Sequence, residues 1–308
     1  METRSLGSSG LEVTIVGLGC NNFGGRIDEA ATRLVVDAAL DAGVTFFDTA
    51  DIYGNKGGSE TILGRLLAGR RDQVVLATKF GMDMGDGEAA RGSRPYVHKA
   101  VEASLRRLAT DWIDLYQYHE PDGVTPLEET LGALDEIVRE GKVRAVGSSN
   151  FSAAQVEEAR VAANTHGFRA FVSEQSEYSW LARGPEAELL PTCERLGVGF
   201  IPYFPLASGL LTGKYRQGEA APEGTRLHGR ELADSDLARV ERLRAYATTH
   251  EISLLDVAIG GLAAQPGVSS VIAGATKPDQ VRANAEAGRW RPAPAELEEL
   301  RAVASSSS

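Results

Sequence analysis

Cysteine is nearly absent: two residues, Cys20 and Cys193, stand far apart in a chain of 308. Neither belongs to a CxxC pair or a Cys/His cluster. That excludes a disulfide framework and a structural zinc site, and it fits a reducing compartment. No apolar run is long enough to cross a bilayer, and the stretch from Met1 to Gly10 has no apolar signal core, so the cytoplasm is the expected location and no membrane partner is expected. Positive charge is in the minority: 32 Lys and Arg against 43 Asp and Glu leave a formal net charge of -11. Such a chain repels phosphate backbones, which argues against nucleic acid as a partner, although local cations can still hold a phosphorylated small molecule. No Pro/Ser-rich linker interrupts it. Residues 1–308 therefore read as a single domain, with a short disordered tail at 305–308.

What is present is alternation. The turn residues Gly7-Ser8-Ser9-Gly10 close a short N-terminal β-hairpin. Strand-like runs follow at 13–18, 44–47, 73–78, 112–118, 142–147, 171–175, 198–201 and 268–272. Helical patterns separate them. One is capped by Asp28, with Ala31, Leu34, Val35, Ala38 and Ala39 at i, i+3, i+4 spacing; others open at Ser59, Pro126, Ser152 and Pro278. Eight strands alternating with helices leave two folds, a closed barrel and an open doubly wound sheet. The dinucleotide fingerprint GxGxxG is missing after the first strand, where the chain reads Gly17-Leu18-Gly19-Cys20-Asn21-Asn22. Polar residues also end several different strands, as barrel active sites require. The expected fold is an α/β (β/α)8 TIM barrel with an N-terminal β-hairpin.

Three of those strand ends carry chemistry. Asp48, Lys79 and His119 each follow the last apolar residue of a strand, and Tyr53 lies on the loop after Asp48. In a barrel these ends share one mouth. A carbonyl that receives hydride develops negative charge on oxygen and needs a proton. A phenol, with a pKa of about 10, is a modest acid. A neighbouring Lys79 cation is expected to lower that pKa, Asp48 to keep Lys79 charged, and His119 to donate a hydrogen bond to the carbonyl oxygen. Plainer readings exist for each: a turn cap for Asp48, a structural ion pair with Lys79, a rim aromatic for Tyr53, a satisfied histidine before Pro121. Coincidence at three successive strand ends favours the chemical reading.

At these positions the sequence resembles the aldo-keto reductase family. The resemblance rests on Phe47-Asp48-Thr49-Ala50-Asp51-Ile52-Tyr53-Gly54, on Ala77-Thr78-Lys79-Phe80-Gly81 and on Asp114-Leu115-Tyr116-Gln117-Tyr118-His119, and it extends over nearly the whole chain. It implies a (β/α)8 barrel, reduction of an aldehyde or ketone, and Tyr53, Lys79, Asp48 and His119 as the catalytic set.

Hydride must come from a cofactor, since no side chain supplies it. The resemblance implies NADPH. Ser149, Asn150 and Gln175 match the residues that bind its carboxamide, and Tyr203 matches the aromatic that stacks on the ring. Gly19, Cys20, Asn21, Phe204 and Pro205 are expected beside it, and Leu206, Ser208, Leu211 and Lys214 on a loop that covers it. After the eighth strand, Gly274, Ala275, Thr276 and Lys277 lead into a helix whose free amides attract phosphate, with Lys277 suited to a 2′-phosphate. Gln280 and Asn284 match contacts at the adenosine end, although some relatives carry Arg and Glu where this chain has Gln280 and Ala283. Phe23, Phe80, Met82 and Trp180, placed on loops, are expected to shape the pocket for a small carbonyl substrate. The Gly- and charge-rich stretch 82–94 reads as a lid or a disordered loop. Two rival functions stay open: a Schiff-base aldolase built on Lys79, and an NADPH-binding barrel that regulates a channel without catalysis.

Overall fold

The computed structural model describes residues 1–305 except 217, 218, 220, 224, 226 and 231. An antiparallel hairpin, β1 (Thr3–Ser5) and β2 (Glu12–Thr14), comes first. Eight parallel strands follow: β3 (Val16–Gly19), β4 (Phe46–Asp48), β5 (Val75–Phe80), β6 (Ile113–Tyr118), β7 (Val143–Ser149), β8 (Ser173–Glu177), β9 (Gly199–Tyr203) and β10 (Val271–Gly274). They run β10-β3-β4-β5-β6-β7-β8-β9, neighbour to neighbour. The last gap is bridged just ahead of β10, where Phe200 N donates to Gly267 O and Ser269 N to Phe200 O, both at 2.9 Å. The fold is thus the expected (β/α)8 barrel.

The helices lie outside: α1 (Glu29–Asp41), α2 (Tyr53–Leu66), α3 (Arg94–Leu108), α4 (Leu127–Arg139), α5 (Ala153–His166), α6 (Leu189–Leu196), α7 (Asp234–Thr249), α8 (Leu254–Ala263), α9 (Pro278–Ala287) and α10 (Pro294–Ser305). Caps written in the sequence start several of them. Asp28 accepts from Ala31 N, and Ser152 and Ser253 each form a reciprocal box with the residue three ahead. Ser305 ends α10 rather than opening a tail; 306–308 lie outside the described residues.

Strand alternation sorts the side chains into two layers. Phe46, Ala77, Leu115, Ala145, Ile201 and Ile272 point into the barrel and pack on Leu6 and Val13, so the hairpin plugs its N-terminal end. Their neighbours in sequence, among them Phe47, Leu76, Tyr116, Val146 and Phe200, face the helices, as does Leu18 of β3. Two residues beyond each inward apolar residue, the same inward face carries Asp48, Lys79, Gln117, Gly147, Tyr203 and Gly274, at the C-terminal mouth.

Most strands therefore end one or two residues later than their apolar runs. The run 13–18 also breaks at Ile15, its first part pairing in the hairpin and its second in the barrel. Helices α6 and α7 are not marked by the caps or the periodicity considered above, and Leu34, expected on the buried face of α1, is 59% exposed.

Candidate active site

At the mouth, Lys79 Nζ donates to Asp48 Oδ2 at 2.6 Å and to Thr49 O at 3.0 Å. Lys79 has no exposed surface. Two amides hold the other carboxylate oxygen: Gln117 Nε2 at 3.1 Å and Gln175 Nε2 at 2.9 Å from Asp48 Oδ1. Asp48 is thereby pinned from three strands. Burial works against the Lys79 ammonium, but Asp48 and Tyr53 more than offset it and hold its pKa above the ordinary lysine value.

Tyr53 stands over this pair, its ring centre 5.1 Å from Lys79 Nζ. It meets the His119 ring edge-on, centroids 5.8 Å apart and planes at 84°. Burial raises the phenol pKa above 10, and the lowering effect of Lys79 does not overcome it. The expected net lowering is therefore corrected: desolvation wins, and the hydroxyl keeps its proton through the neutral range. His119 is driven down to about 3 by burial and then by the Lys79 charge, so its imidazole is neutral. Its Nδ1 is buried without a partner. A buried donor is left unpaired less readily than an acceptor, which favours the tautomer with the proton on Nε2.

Asp48, Tyr53 and His119 open onto a cleft of about 880 Å³, within the range of cofactor sites. Near them the cleft is lined by Gly19, Cys20, Asn21, Ser149, Asn150, Gln175 and Tyr203. Tyr203 Oη donates to Asn150 Oδ1 at 2.8 Å, Asn150 Nδ2 donates to His119 O at 3.0 Å, and Ser149 Oγ donates to Gln175 O at 2.8 Å. Further along come Phe204, Pro205, Leu206, Ser208 and Lys214, and then Gly274, Ala275, Thr276, Lys277, Gln280 and Asn284. A Cβ at Gly274 would approach Asn22 Nδ2 to 3.4 Å and Asn21 Oδ1 to 3.5 Å, narrowing the passage. Lys277 is the N-cap of α9 and makes no side-chain cap; Pro278 has no N–H and Gln280 N donates to Lys277 O at 3.1 Å, so Asp279 supplies the open amide of the first turn. An extended, phosphate-bearing dinucleotide fits this donor set: amides and hydroxyls at one end, Lys214, Lys277 and a helix N-terminus at the other.

Four expected site residues lie elsewhere. Leu211 is fully buried beneath the loop it belongs to. Phe80 points outward from β5 and stacks between Tyr116 and Tyr118 at 4.8 and 5.1 Å. Trp180 is fully buried and donates to Val257 O at 2.7 Å, and Phe23 is fully buried behind the first loop. These aromatics are core, because apolar surface near a loop packs inward unless a ligand covers it. Of the expected substrate residues, Met82 alone lines the cleft. Its loop is tied down by Lys56 Nζ to Met84 O at 2.8 Å, Arg91 Nε to Gly81 O at 2.6 Å and Gly92 N to Asp122 Oδ2 at 2.7 Å. The sequence reading missed Gln117 and the cleft residues Asn22, Arg26 and Glu120. Gln117 was detectable, two residues before His119 on the same strand face.

A family model described as the aldo/keto reductase family matches residues 15–304. A probable voltage-gated potassium channel subunit beta of Oryza sativa subsp. japonica is 37% identical over 300 residues, covering 93% of this chain and 91% of that protein. The uncharacterized oxidoreductase YrpG of Bacillus subtilis is 39% identical, covering 92% and 89%. The aldo-keto reductase YhdN of the same organism is 36% identical, covering 94% and 89%. With that match spanning both the barrel and the residues at its mouth, the chain belongs to the aldo/keto reductase family.

Proposed function

We propose that the protein is an NADPH-dependent oxidoreductase that reduces a small aldehyde or ketone, with Tyr53 as proton donor. The observation that carries this reading is the stack at the mouth: a protonated phenol and a neutral imidazole face the cleft, above a buried Lys79–Asp48 pair.

When bound, the dinucleotide supplies hydride to the carbonyl carbon. The chain supplies the rest. Ser149, Asn150 and Gln175 orient the reactive ring; Gln175 commits its amide nitrogen to Asp48 and keeps Oε1 to accept from a carboxamide. His119 Nε2–H donates to the carbonyl oxygen and stabilises its growing charge. Tyr53 gives that oxygen its proton, and Lys79 balances the phenolate left behind. Asn150, Phe204 and Ser208 line the cleft with positive φ values of 61°, 53° and 57°. Strain of this kind is kept where shape serves a ligand. Lys277 at the start of α9 favours the 2′-phosphorylated cofactor.

The Lys79 ammonium, held charged by Asp48, is a poor Schiff-base nucleophile, which weighs against an aldolase. The channel-subunit relatives keep a non-catalytic barrel as the alternative outcome. A panel of aldehydes, ketones and sugars with NADPH or NADH tests the proposal through the loss of reduced-nicotinamide absorbance. Turnover is expected with at least one small aldehyde, with NADPH preferred. Tyr53→Phe is expected to lower turnover about 10²–10⁴-fold with cofactor binding retained. NADPH binding by the wild type without turnover on any carbonyl would sink the enzymatic reading.

A further inference from the structure

Glu174 is a carboxyl with no exposed surface, set in the layer between barrel and helices. It lies on β8 beside Gln175 and faces the opposite way, outward. Its partners are uncharged: Ser148 Oγ donates to Oε2 at 2.5 Å, Ser176 Oγ to Oε1 at 2.7 Å and Phe151 N to Oε1 at 3.2 Å. Among the described residues, no lysine, arginine or histidine hydrogen-bonds or ion-pairs with it. Cys193 of α6 and Tyr203 of β9 are the titratable groups that feel its charge. Taking a carboxyl out of water without a cation is costly, so its retained contacts need a purpose.

Two structural purposes are already filled. Helix α5 is capped by its own box of Ser152 and Gln155. The β7–β8 register, Ser148 to Glu174 and Ser149 to Gln175, is held by backbone pairing. What remains is the turn between β7 and α5. There Asn150 sits at φ 61°, a left-handed conformation that asparagine tolerates but does not hold by itself, so the contacts on either side of it fix the turn. The Phe151 ring is anchored against Tyr118 and Phe171, and the Phe151 amide is anchored on Glu174. The Asn150 amide group then spans from His119 O to Tyr203 Oη across the mouth.

We infer that Glu174 is a positioning residue for the dinucleotide: from the back of β8 it clamps the Phe151 amide, and so holds the Ser149–Asn150 turn in the shape that receives the carboxamide. The inference rests on the NADPH reading above and assigns a role to a residue that touches neither cofactor nor substrate.

Glutamine can keep the clamp. Its Oε1 accepts from Phe151 N and Ser176 Oγ, and its Nε2 donates to Ser148 Oγ, which has Ser173 O at 3.3 Å as its own acceptor. Leucine has the bulk and no acceptor. NADPH affinity is to be measured by fluorescence titration of wild type, Glu174→Gln, Glu174→Leu and the double variant Ser148→Ala/Ser176→Ala, with thermal unfolding recorded for each. Kd should rise about tenfold in Glu174→Leu, what one lost buried hydrogen bond amounts to. It should stay within about threefold of wild type in Glu174→Gln, which keeps that hydrogen bond. The rise should also appear in KM for NADPH, with kcat at saturating cofactor changed far less. The serine double variant leaves the carboxyl in place without its orienting hydroxyls, and an intermediate Kd is expected; it serves as the test if Glu174→Leu does not fold. Wild-type Kd in folded Glu174→Leu, or in the serine variant where leucine is not tolerated, overturns the inference and leaves the NADPH reading standing. Failure of the wild type to bind either dinucleotide overturns both.

Discussion

Burial decides the protonation of the groups around Tyr53, and it acts in opposite senses on acids and bases. It strips the proton from His119 and keeps the protons of Tyr53 and of a buried carboxyl, Asp51. Asp51 is 2% exposed, its Oδ1 has no partner, and it shares its surroundings with Glu60, Arg107 and the buried Tyr116 hydroxyl. Burial first, and Glu60 second, push it up to about 7 against the partial relief of Arg107. The folded state therefore holds a proton that the unfolded chain gives up near pH 4. Stability from this group is full below that pH, falls as pH rises, and levels off above about 7. Asp51→Asn removes the dependence. The variant should gain on the wild type by about 2–4 kcal/mol more at pH 8 than at pH 4 in urea unfolding. His119, and Glu174 with its carboxyl pushed up to about 7 by burial, titrate alike in both proteins and cancel from the difference. A gap that stays constant across that range would show that Asp51 is not the titrating group.

At the scale of elements, the segment that carries Tyr53 is the least regular part of the barrel. Directly after it, Gly54, Asn55, Lys56 and Gly57 have φ values of 67°, 60°, 66° and 109°, a left-handed turn spliced ahead of the right-handed part of α2. Left-handed residues with side chains cost about 1–2 kcal/mol each, so this turn is held from outside. Gly54 cannot be replaced cheaply: a Cβ there would lie 2.4 Å from Phe23 O and 2.5 Å from Ser59 N. Gly54→Ala should lower stability by about 1–3 kcal/mol and, by shifting Tyr53, lower kcat about 100-fold while NADPH affinity changes little. Unchanged kcat in a folded variant would mean that Tyr53 is placed from the β4 side alone. Of this element the sequence showed the helix opening at Ser59 and the phenol at 53, because caps and motifs are local signals. The turn was not legible, since Asn55 and Lys56 do not announce positive φ. The same limit explains the strand ends. Apolar runs mark where a strand is packed, while Lys79, Ser148, Ser149, Ser176 and Glu177 continue the pairing past them through polar residues that the mouth requires. It also explains the misplaced aromatics, since whether Phe80 faces cleft or helix depends on strand parity and not on its distance from a loop.

Across the whole molecule, the barrel separates what holds it together from what acts on a ligand. The hairpin seals one end, with Leu6 and Val13 fully buried against the inner layer and Arg4 donating to Ala263 O and Val268 O at 2.5 and 3.0 Å. The cleft opens at the other end, where the strands finish in polar residues. Stability and binding should then respond to different substitutions. Leu6→Ala removes a side chain from the inner core, and about 2–4 kcal/mol of stability should go with it. The plug lies at the end of the barrel opposite the polar mouth, so NADPH Kd should equal that of the wild type. Mass action adds a second constraint. A ligand that binds only the folded state stabilises it by RT ln(1 + [L]/Kd), about 2.7 kcal/mol at a hundredfold excess over Kd. With equal Kd, NADPH must raise the unfolding free energy of Leu6→Ala and of wild type by the same increment, leaving the gap between them unchanged at every cofactor concentration. Urea titrations with and without NADPH measure this directly. A gap that widens or narrows with cofactor would show that the plug and the mouth communicate through the barrel, and that its two ends are not independent.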